Sequence, residues 1–287
     1  MNPILPALVF LSTASGPVCV GRTAEHVVVI GLDGCRPEAI QQAAGPVLKS
    51  LWQSGAWSWK AQAAQPSVTQ VNFAGILTGC MPAKHGIDTK EWVTGARPKV
   101  KVPTIFEIVA GEGMKAAGFL GHEKLYPAET EVKGVHFEYS PYQGQAVAPL
   151  AAKYLVEAKP QFCFIYIGDL DGAGHKHGWL SPEQLALMPG IDAALKIIVD
   201  ALKESGQWDT TLLIITADHG GHGRAHSKGD PEDITVPWIA AGPLVKPGEI
   251  SSPVRNLDTA ATAAAALGIA LPAIWDGRPV DEALGPR

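Results

Sequence analysis

Cysteine and clustered positive charge are what this chain has least of. Its four cysteines, at positions 19, 35, 80 and 163, contain no CxxC pair, so neither a disulfide framework nor a zinc knuckle organises the 287 residues. Charged side chains make up only 18%, the net charge is -5, and Lys and Arg form no run, which excludes a surface built to neutralise nucleic-acid phosphates. Beyond Val20 no apolar stretch approaches the ~20 residues of a membrane-spanning helix, so no span is expected in a mature protein. Hydrophobic residues are plentiful at 46%, enough to bury a large core. Any bound metal must fall to carboxylates and histidines, and five of the nine histidines lie between positions 175 and 226.

Residues Ile4 to Val20 are apolar or small, broken by Gly16 and Pro17, and Arg22 is the first charged side chain. The run is too broken for a membrane span. It fits the apolar region of a secretory signal, although no Lys or Arg precedes it and no A-x-A site follows. Residues 1–24 are therefore expected to be a signal segment of a periplasmic or secreted protein. If they are only a ragged start to the first strand, the location is cytoplasmic.

From His26 onward, buried strands alternate with helices. HVVVIGLDG, FCFIYIGD and TLLIITADHG are β-rich apolar runs closed by Gly or Asp, the pattern of central strands covered on both faces. MKAAGFLG and VPWIAAG read as further strands. Helices are expected over Arg36–Ser54, Thr104–Gly111, Ala148–Ala158, Ser181–Ser205 and Leu257–Leu267. The alternation predicts an α/β fold, a three-layer sandwich with a central, mostly parallel sheet and helices on both faces. Residues 25–287 read as one domain, with about 88–145, richer in Lys, Pro, Tyr and Gly, as an irregular segment over one end of the sheet.

Three of the apolar strands end in carboxylates: GLDG at Asp33, GDLDGAGH at Asp169 and Asp171, and TADHGGHG at Asp218. One Asp after one strand is usually a helix cap. Three of them, two followed closely by histidine, at the strand ends where an open α/β sheet places its ligand crevice, point instead to a site. Asp33, Asp171, His175, Asp218, His219 and His226 are the candidate ligands. Mixed oxygen and nitrogen donors suit zinc or manganese, and six are enough for two ions with open positions for substrate. Two such ions clamp the attacking and leaving oxygens of an in-line displacement at phosphorus. PSVTQVNFAGILTG offers a nucleophile, since Ser67 and Thr69 stand just before an apolar helical stretch. A hydroxyl there sits where exposed amides favour an anionic group, and beside this constellation Thr69 reads as the nucleophile rather than as a cap.

The blocks VVVIGLDG, PSVTQVNFAGILTGCMPAKHGI, GDLDGAGHKHG, TADHGG and VPWIAAGP, in that order, resemble the alkaline phosphatase superfamily, and most closely its nucleotide pyrophosphatase/phosphodiesterase branch. The resemblance runs from Val27 to Asp281. It implies an alkaline phosphatase-like fold for a single catalytic domain, with residues 88–145 covering the pocket, and two divalent ions, Zn2+ in the first place and Mn2+ as the alternative. Asp33, Thr69, Asp218 and His219 match the ligands of one ion, with Thr69 as the nucleophile. Asp171, His175 and His226 match those of the other, which activates water. Asn72 matches an Asn whose amide holds a non-bridging phosphoryl oxygen. The implied mechanism is a phospho-threonine intermediate formed and hydrolysed by two in-line displacements.

Cys80-Met-Pro-Ala-Lys84 looks like the cysteine motif of sulfatases but fails on register. Sulfatases place that Cys nine residues before the Thr of a TG step, where this chain has Thr69, and Lys84 replaces the expected Arg. His177 and His222 rival two of the ligands. His175 is preferred for its DxxGH offset from Asp171, and His226 for preceding KGDPEDITVPWIAAG. His85 reads as a turn residue, and Asp169 as a support for Asp171. Asn72 supplies one neutral donor and no Arg is nearer than Arg36 and Arg97, which favours a monoanionic diester over a dianionic monoester. The expected activity is metal-dependent hydrolysis of a small-molecule phosphodiester, nucleotide pyrophosphates included, without a stable nucleic-acid partner. Trp92, Lys124, Tyr126, Tyr139 and Tyr142 are the candidate pocket walls. Phosphomonoester, phosphonate or sulfate ester hydrolysis on the same core are the alternatives, and an inactive metal-binding module is a further one. Nothing in the sequence sets an oligomeric state.

Overall fold

Strands β1 (His26–Leu32), β2 (Ala56–Gln62), β3 (Ala116–Phe119), β4 (Val135–Glu138), β5 (Phe162–Ile167), β6 (Thr211–Thr216), β7 (Thr235–Ala241) and β8 (Gly248–Glu249) form one sheet in the computed structural model. The model describes residues 24–88, 98–139 and 142–284, with the side chains of Glu123, Lys124 and Tyr126 excepted. The strand order is β4-β3-β5-β1-β6-β7-β2-β8. Every neighbouring pair is parallel except those of β7, which runs antiparallel to β6 and β2.

The expected three-layer α/β sandwich is what forms. β1, β5 and β6 are buried at every residue, as unbroken apolar runs require when both sheet faces are covered. Two separate groups of helices supply the cover. Pro37–Ala43, Pro46–Gln53, Gly144–Ala158 and Met188–Glu204 pack together in one, and Thr69–Thr78, Ile105–Gly111 and Asp258–Ala266 in the other.

Several local expectations are corrected. The single helix over Arg36–Ser54 is two, because Pro46 has no N–H to donate and forces Gly45 into an extended conformation at ψ 178°. The Ser181–Ser205 stretch likewise divides into Pro182–Leu185 and Met188–Glu204. β2 was not expected: its AWSWKAQ mixes buried residues with half-buried and exposed ones and lacks a continuous apolar run. Within residues 98–139 the expected Thr104–Gly111 helix and MKAAGFLG strand form as Ile105–Gly111 and β3, β4 is an addition, and the helix opens on a reciprocal capping box between Thr104 and Glu107. The expected signal segment, Trp92 and Arg97 lie outside the described residues. No helix among those residues is long and apolar enough to cross a membrane.

The sheet register brings the acids together. Gly31 pairs with Thr216 and Leu32 with Ile167, so the residues just past the ends of β1, β5 and β6 emerge side by side. Asp33, Asp171 and Asp218 occupy that edge, and the Asp33 amide donates to Ile167 O at 2.9 Å.

Candidate metal centre

Five of the six predicted acid and histidine ligands fall into two overlapping groups, and the sixth adjoins them. Asp33, Asp218 and His219 offer ligand atoms within 4.8 Å of one another, and so do Asp171, His219 and His226. His219 Nε2 stands at the centre, 3.3 Å from Asp33 Oδ1, 3.2 Å from Asp218 Oδ2 and 4.0 Å from Asp171 Oδ1. His175 Nε2 lies 3.4 Å from Asp171 Oδ1 and 3.2 Å from His226 Nε2. His226 Nε2 is 3.6 Å from Asp171 Oδ1.

The three imidazoles are oriented alike. Nδ1 of His219 donates to Gly220 O at 2.8 Å, that of His226 to Ser67 O at 2.7 Å, and that of His175 to Arg224 O at 3.1 Å. A carbonyl only accepts, so each Nδ1 carries the proton and each Nε2 turns a lone pair toward the carboxylates. Asp171 Oδ1 and Asp218 Oδ2 are buried and receive no hydrogen bond. Lone pairs facing lone pairs in a buried site repel unless a cation lies between them. The electrostatics agree. Burial, then the charge of Asp171, pushes the Asp218 carboxyl up to about 7, while burial, then His219, pushes His226 down to about 4. The residues present therefore fit a pair of divalent cations held by oxygen and nitrogen donors.

The two sides of the cluster differ in access. Asp33, Asp218 and His219 side chains are 2%, 0% and 0% exposed, whereas His175 is 45% exposed, so the Asp171–His175–His226 side opens to solvent. Thr69 borders the closed side. It is the first residue of a helix buried throughout, Thr69–Thr78, preceded by Val68 in an extended conformation without a side-chain cap. Its Oγ1 lies 3.4 Å from His219 Nε2.

Asn72 does not join the cluster; its amide is bonded to the loop before the helix. Its Oδ1 accepts from Ala64 N at 2.7 Å, and its Nδ2 donates to Ala64 O at 3.1 Å and Pro66 O at 3.2 Å. The amide is 1% exposed and committed to the 64–68 loop. Arg36 is committed too, paired with Glu38 and donating to Gly221 O at 3.2 Å. Asp169 accepts from Gly144 N at 2.7 Å and so anchors the Gly144–Ala158 helix rather than Asp171. His222 belongs to a separate cluster, its Nδ1 donating to Asp233 Oδ1 at 2.8 Å, and His177 is exposed. His85 does hold a turn, its Nδ1 accepting from Ile87 N at 3.1 Å. Cys80 follows the far end of the Thr69–Thr78 helix, ~15 Å of helix from Thr69, with Sγ directed at Ile274 O.

Three supporting residues escaped the sequence reading. Tyr166, on β5, donates its buried hydroxyl to Asp33 Oδ2 at 2.5 Å, leaving Oδ1 for the cluster. Trp179 donates Nε1 to Gly34 O at 2.8 Å and packs its ring against His175 and His226. Asn256 donates to Asn72 and to the Asp218 carbonyl. Tyr166 alone left a trace, since a hydroxyl inside a fully buried strand needs an acceptor. Gly34 has φ +69°, and its amide donates to Asp218 Oδ1 at 3.2 Å, a turn a side chain would strain against Asp171.

The family model for type I phosphodiesterase / nucleotide pyrophosphatase matches residues 27–225, well over half of the chain and all of these site residues except His226 and Asn256. The chain belongs to the type I phosphodiesterase / nucleotide pyrophosphatase family. It is thereby a member of the alkaline phosphatase superfamily, and a sulfatase model matches residues 182–269. Among relatives of this phosphodiesterase-family chain, mouse (Mus musculus) ectonucleotide pyrophosphatase/phosphodiesterase family member 1 is 25% identical over 224 residues, 67% of this chain and 24% of that one. Venom phosphodiesterase of Macrovipera lebetinus is 26% identical over 214 residues, 68% of this chain and 25% of that one. The chain thus spans about a quarter of the length of these curated relatives. Murine ectonucleotide pyrophosphatase / phosphodiesterase 5, an inactive form in complex with AMP, shares the fold at TM-score 0.74 and 14% identity, covering 91% of this chain and 100% of that one. A 2-O GAG sulfatase shares it at TM-score 0.73 and 15% identity, covering 90% and 73%.

Proposed function

We propose that this chain hydrolyses phosphodiesters, nucleotide pyrophosphates among them, through a covalent intermediate on Thr69. The observation that carries the reading is the Thr69 hydroxyl at a helix N-terminus, 3.4 Å from the imidazole shared by both acid groups. Asp33, Asp218 and His219 would hold one divalent cation beside Thr69, and Asp171, His175 and His226 the other, zinc being the leading candidate for this donor set. When bound, the cations supply Lewis acidity that favours the ionised hydroxyl and water and offsets phosphoryl charge.

Thr69 Oγ attacks phosphorus, the Oγ–P bond forms, and the bond to the leaving alkoxide breaks. The phosphoryl group then stays on Thr69 with its second ester intact, until water displaces Thr69 and releases a phosphomonoester. First-turn amides of the Thr69–Thr78 helix, which have no intrahelical acceptor, face the anionic group with the positive end of the helix dipole. Asp33, steadied by Tyr166, and Asp218, steadied by the Gly34 amide, fix the closed side. The exposed His175 side is the entry for water and substrate.

A diester is favoured over a monoester because Arg36 and Asn72 are engaged elsewhere, leaving neutral amide donors for a single negative charge. The relatives' ecto- and venom designations support a setting outside the cytoplasm. The test is the ratio of kcat/KM for bis-p-nitrophenyl phosphate to that for p-nitrophenyl phosphate on zinc-loaded protein. A ratio well above one is expected; a ratio below one overturns the diester assignment.

A further inference from the structure

We propose that Asn256 and Asn72 form an amide relay that positions the Thr69 helix against the end of β6, making Asn256 a positioning residue of the site. The proposal rests on the functional reading above for the role of Thr69.

The geometry is a chain of hydrogen bonds between two elements distant in sequence. The Asn256 amide group donates one hydrogen to Asn72 Oδ1 at 3.2 Å and the other to Asp218 O at 3.3 Å. Asn72 lies three residues after Thr69 on the same helix, and its own amide clamps Ala64 by both backbone groups, at 2.7 and 3.1 Å. Asn256 N in turn donates to Gln62 O at 2.9 Å, tying the relay to the end of β2. One side chain therefore joins the start of the nucleophile helix to the backbone of Asp218, whose carboxylate faces His219.

Two features set this apart from an ordinary loop staple. Both amides are 1% exposed, and Asn256 Oδ1 is buried without a hydrogen-bond partner. A fold seeking only stability gains nothing from a buried unsatisfied carbonyl, and such exceptions call for a reason. Asn256 meets an unusual requirement here: two acceptors, Asn72 Oδ1 and Asp218 O, need donors, and a carboxylate in the same place would set acceptor against acceptor at both.

The test uses the zinc-loaded full chain with Asn256→Ala, Asn256→Ser, Asn72→Ala and the double Asn72→Ala/Asn256→Ala. Thr259→Val serves as a control that removes the buried hydrogen bond from Trp238 to the Asp258–Ala266 helix, which follows Asn256, and leaves both side-chain bonds of Asn256 in place. Steady-state kinetics on bis-p-nitrophenyl phosphate, zinc affinity by chelator competition and thermal unfolding are read for each. Asn256→Ala is expected to lower kcat or zinc affinity by about 10- to 100-fold with KM nearly unchanged. Asn256→Ser, with one hydrogen to give, should fall between it and wild type, and the double variant should lose no more than the worse single. The control should lose thermal stability with kcat and zinc affinity intact.

If Asn256→Ala and Asn256→Ser keep wild-type kcat and zinc affinity while unfolding earlier, as the control does, the relay is only a staple and the proposal is overturned. Additive losses in the double variant overturn the coupling of the two amides. Should Asn256→Ala fail to fold, Asn256→Ser and the cycle with Asn72→Ala decide. If wild-type protein turns over no phosphate ester, the functional reading fails by itself, and the zinc affinities still decide the relay.

Discussion

Tyr166 gives its hydroxyl hydrogen to Asp33 Oδ2 across the β5–β1 pair, and this contact decides which carboxylate oxygen of Asp33 faces His219. Removing the donor takes away the Tyr166 bond that holds Asp33 Oδ2 away from the cluster. Tyr166→Phe is expected to weaken binding of one zinc ion by about 10-fold while the second is held as before. Isothermal titration with a competing chelator checks this, and two unchanged affinities contradict it.

Thr69→Ala should lower diester turnover by about 10³-fold or more while zinc content stays at the wild-type level, because the acids and histidines remain. Asp218→Asn should lose zinc along with activity, since it converts a central ligand into a neutral amide. Turnover and metal content measured on the same samples separate the two outcomes.

Trp179 packs against Gly221 so closely that a Cβ there would stand 2.3 Å from the indole. Gly221→Ala is expected to destabilise the fold by about 1–3 kcal/mol through overpacking and to disturb His175 and His226, which rest on the same ring. Thermal unfolding with and without zinc checks this: the Tm gained on adding zinc should shrink as well as the starting Tm.

Zinc stabilisation should depend on pH with a definite sign. The Asp218 pKa is raised to about 7, so in metal-free protein its contribution is present below the ordinary carboxylate pKa and lost as pH climbs toward 7. His226 is depressed to about 4, so its contribution is present above the ordinary imidazole pKa, about 6.5, and lost as pH falls toward 4. Between about 4 and 6.5 the two oppose each other, leaving metal-free stability nearly flat from this pair. Zinc requires Asp218 ionised and His226 neutral, so the Tm gain on adding zinc should grow from pH 5 to about 7 and then level. A gain independent of pH contradicts the assignment of these two ligands.

Much of this site was legible because its chemistry is written at strand ends. Asp33, Asp171 and Asp218 each follow an apolar run, and parallel neighbours in register must bring such positions together. The loop bonds of Asn72 were not legible for a physical reason: an amide one helical turn after Thr69 has the same spacing whether it reaches outward or to its own loop, and only tertiary contacts distinguish them. Trp179 and Asn256 were invisible on the same ground, since their partners lie 145 and 184 residues away. β2 went unseen because an alternating strand near a sheet edge carries half the hydrophobic signal of a central one.

The most direct measurement is a rapid quench of zinc-loaded protein reacting with bis-p-nitrophenyl phosphate, followed by digestion and mass analysis of the peptide containing Thr69. The expected result is a p-nitrophenyl phosphoryl group on Thr69 and a burst of p-nitrophenolate equal to the active sites. Steady turnover with neither burst nor modified peptide, Thr69→Ala remaining active alongside, would contradict the covalent mechanism.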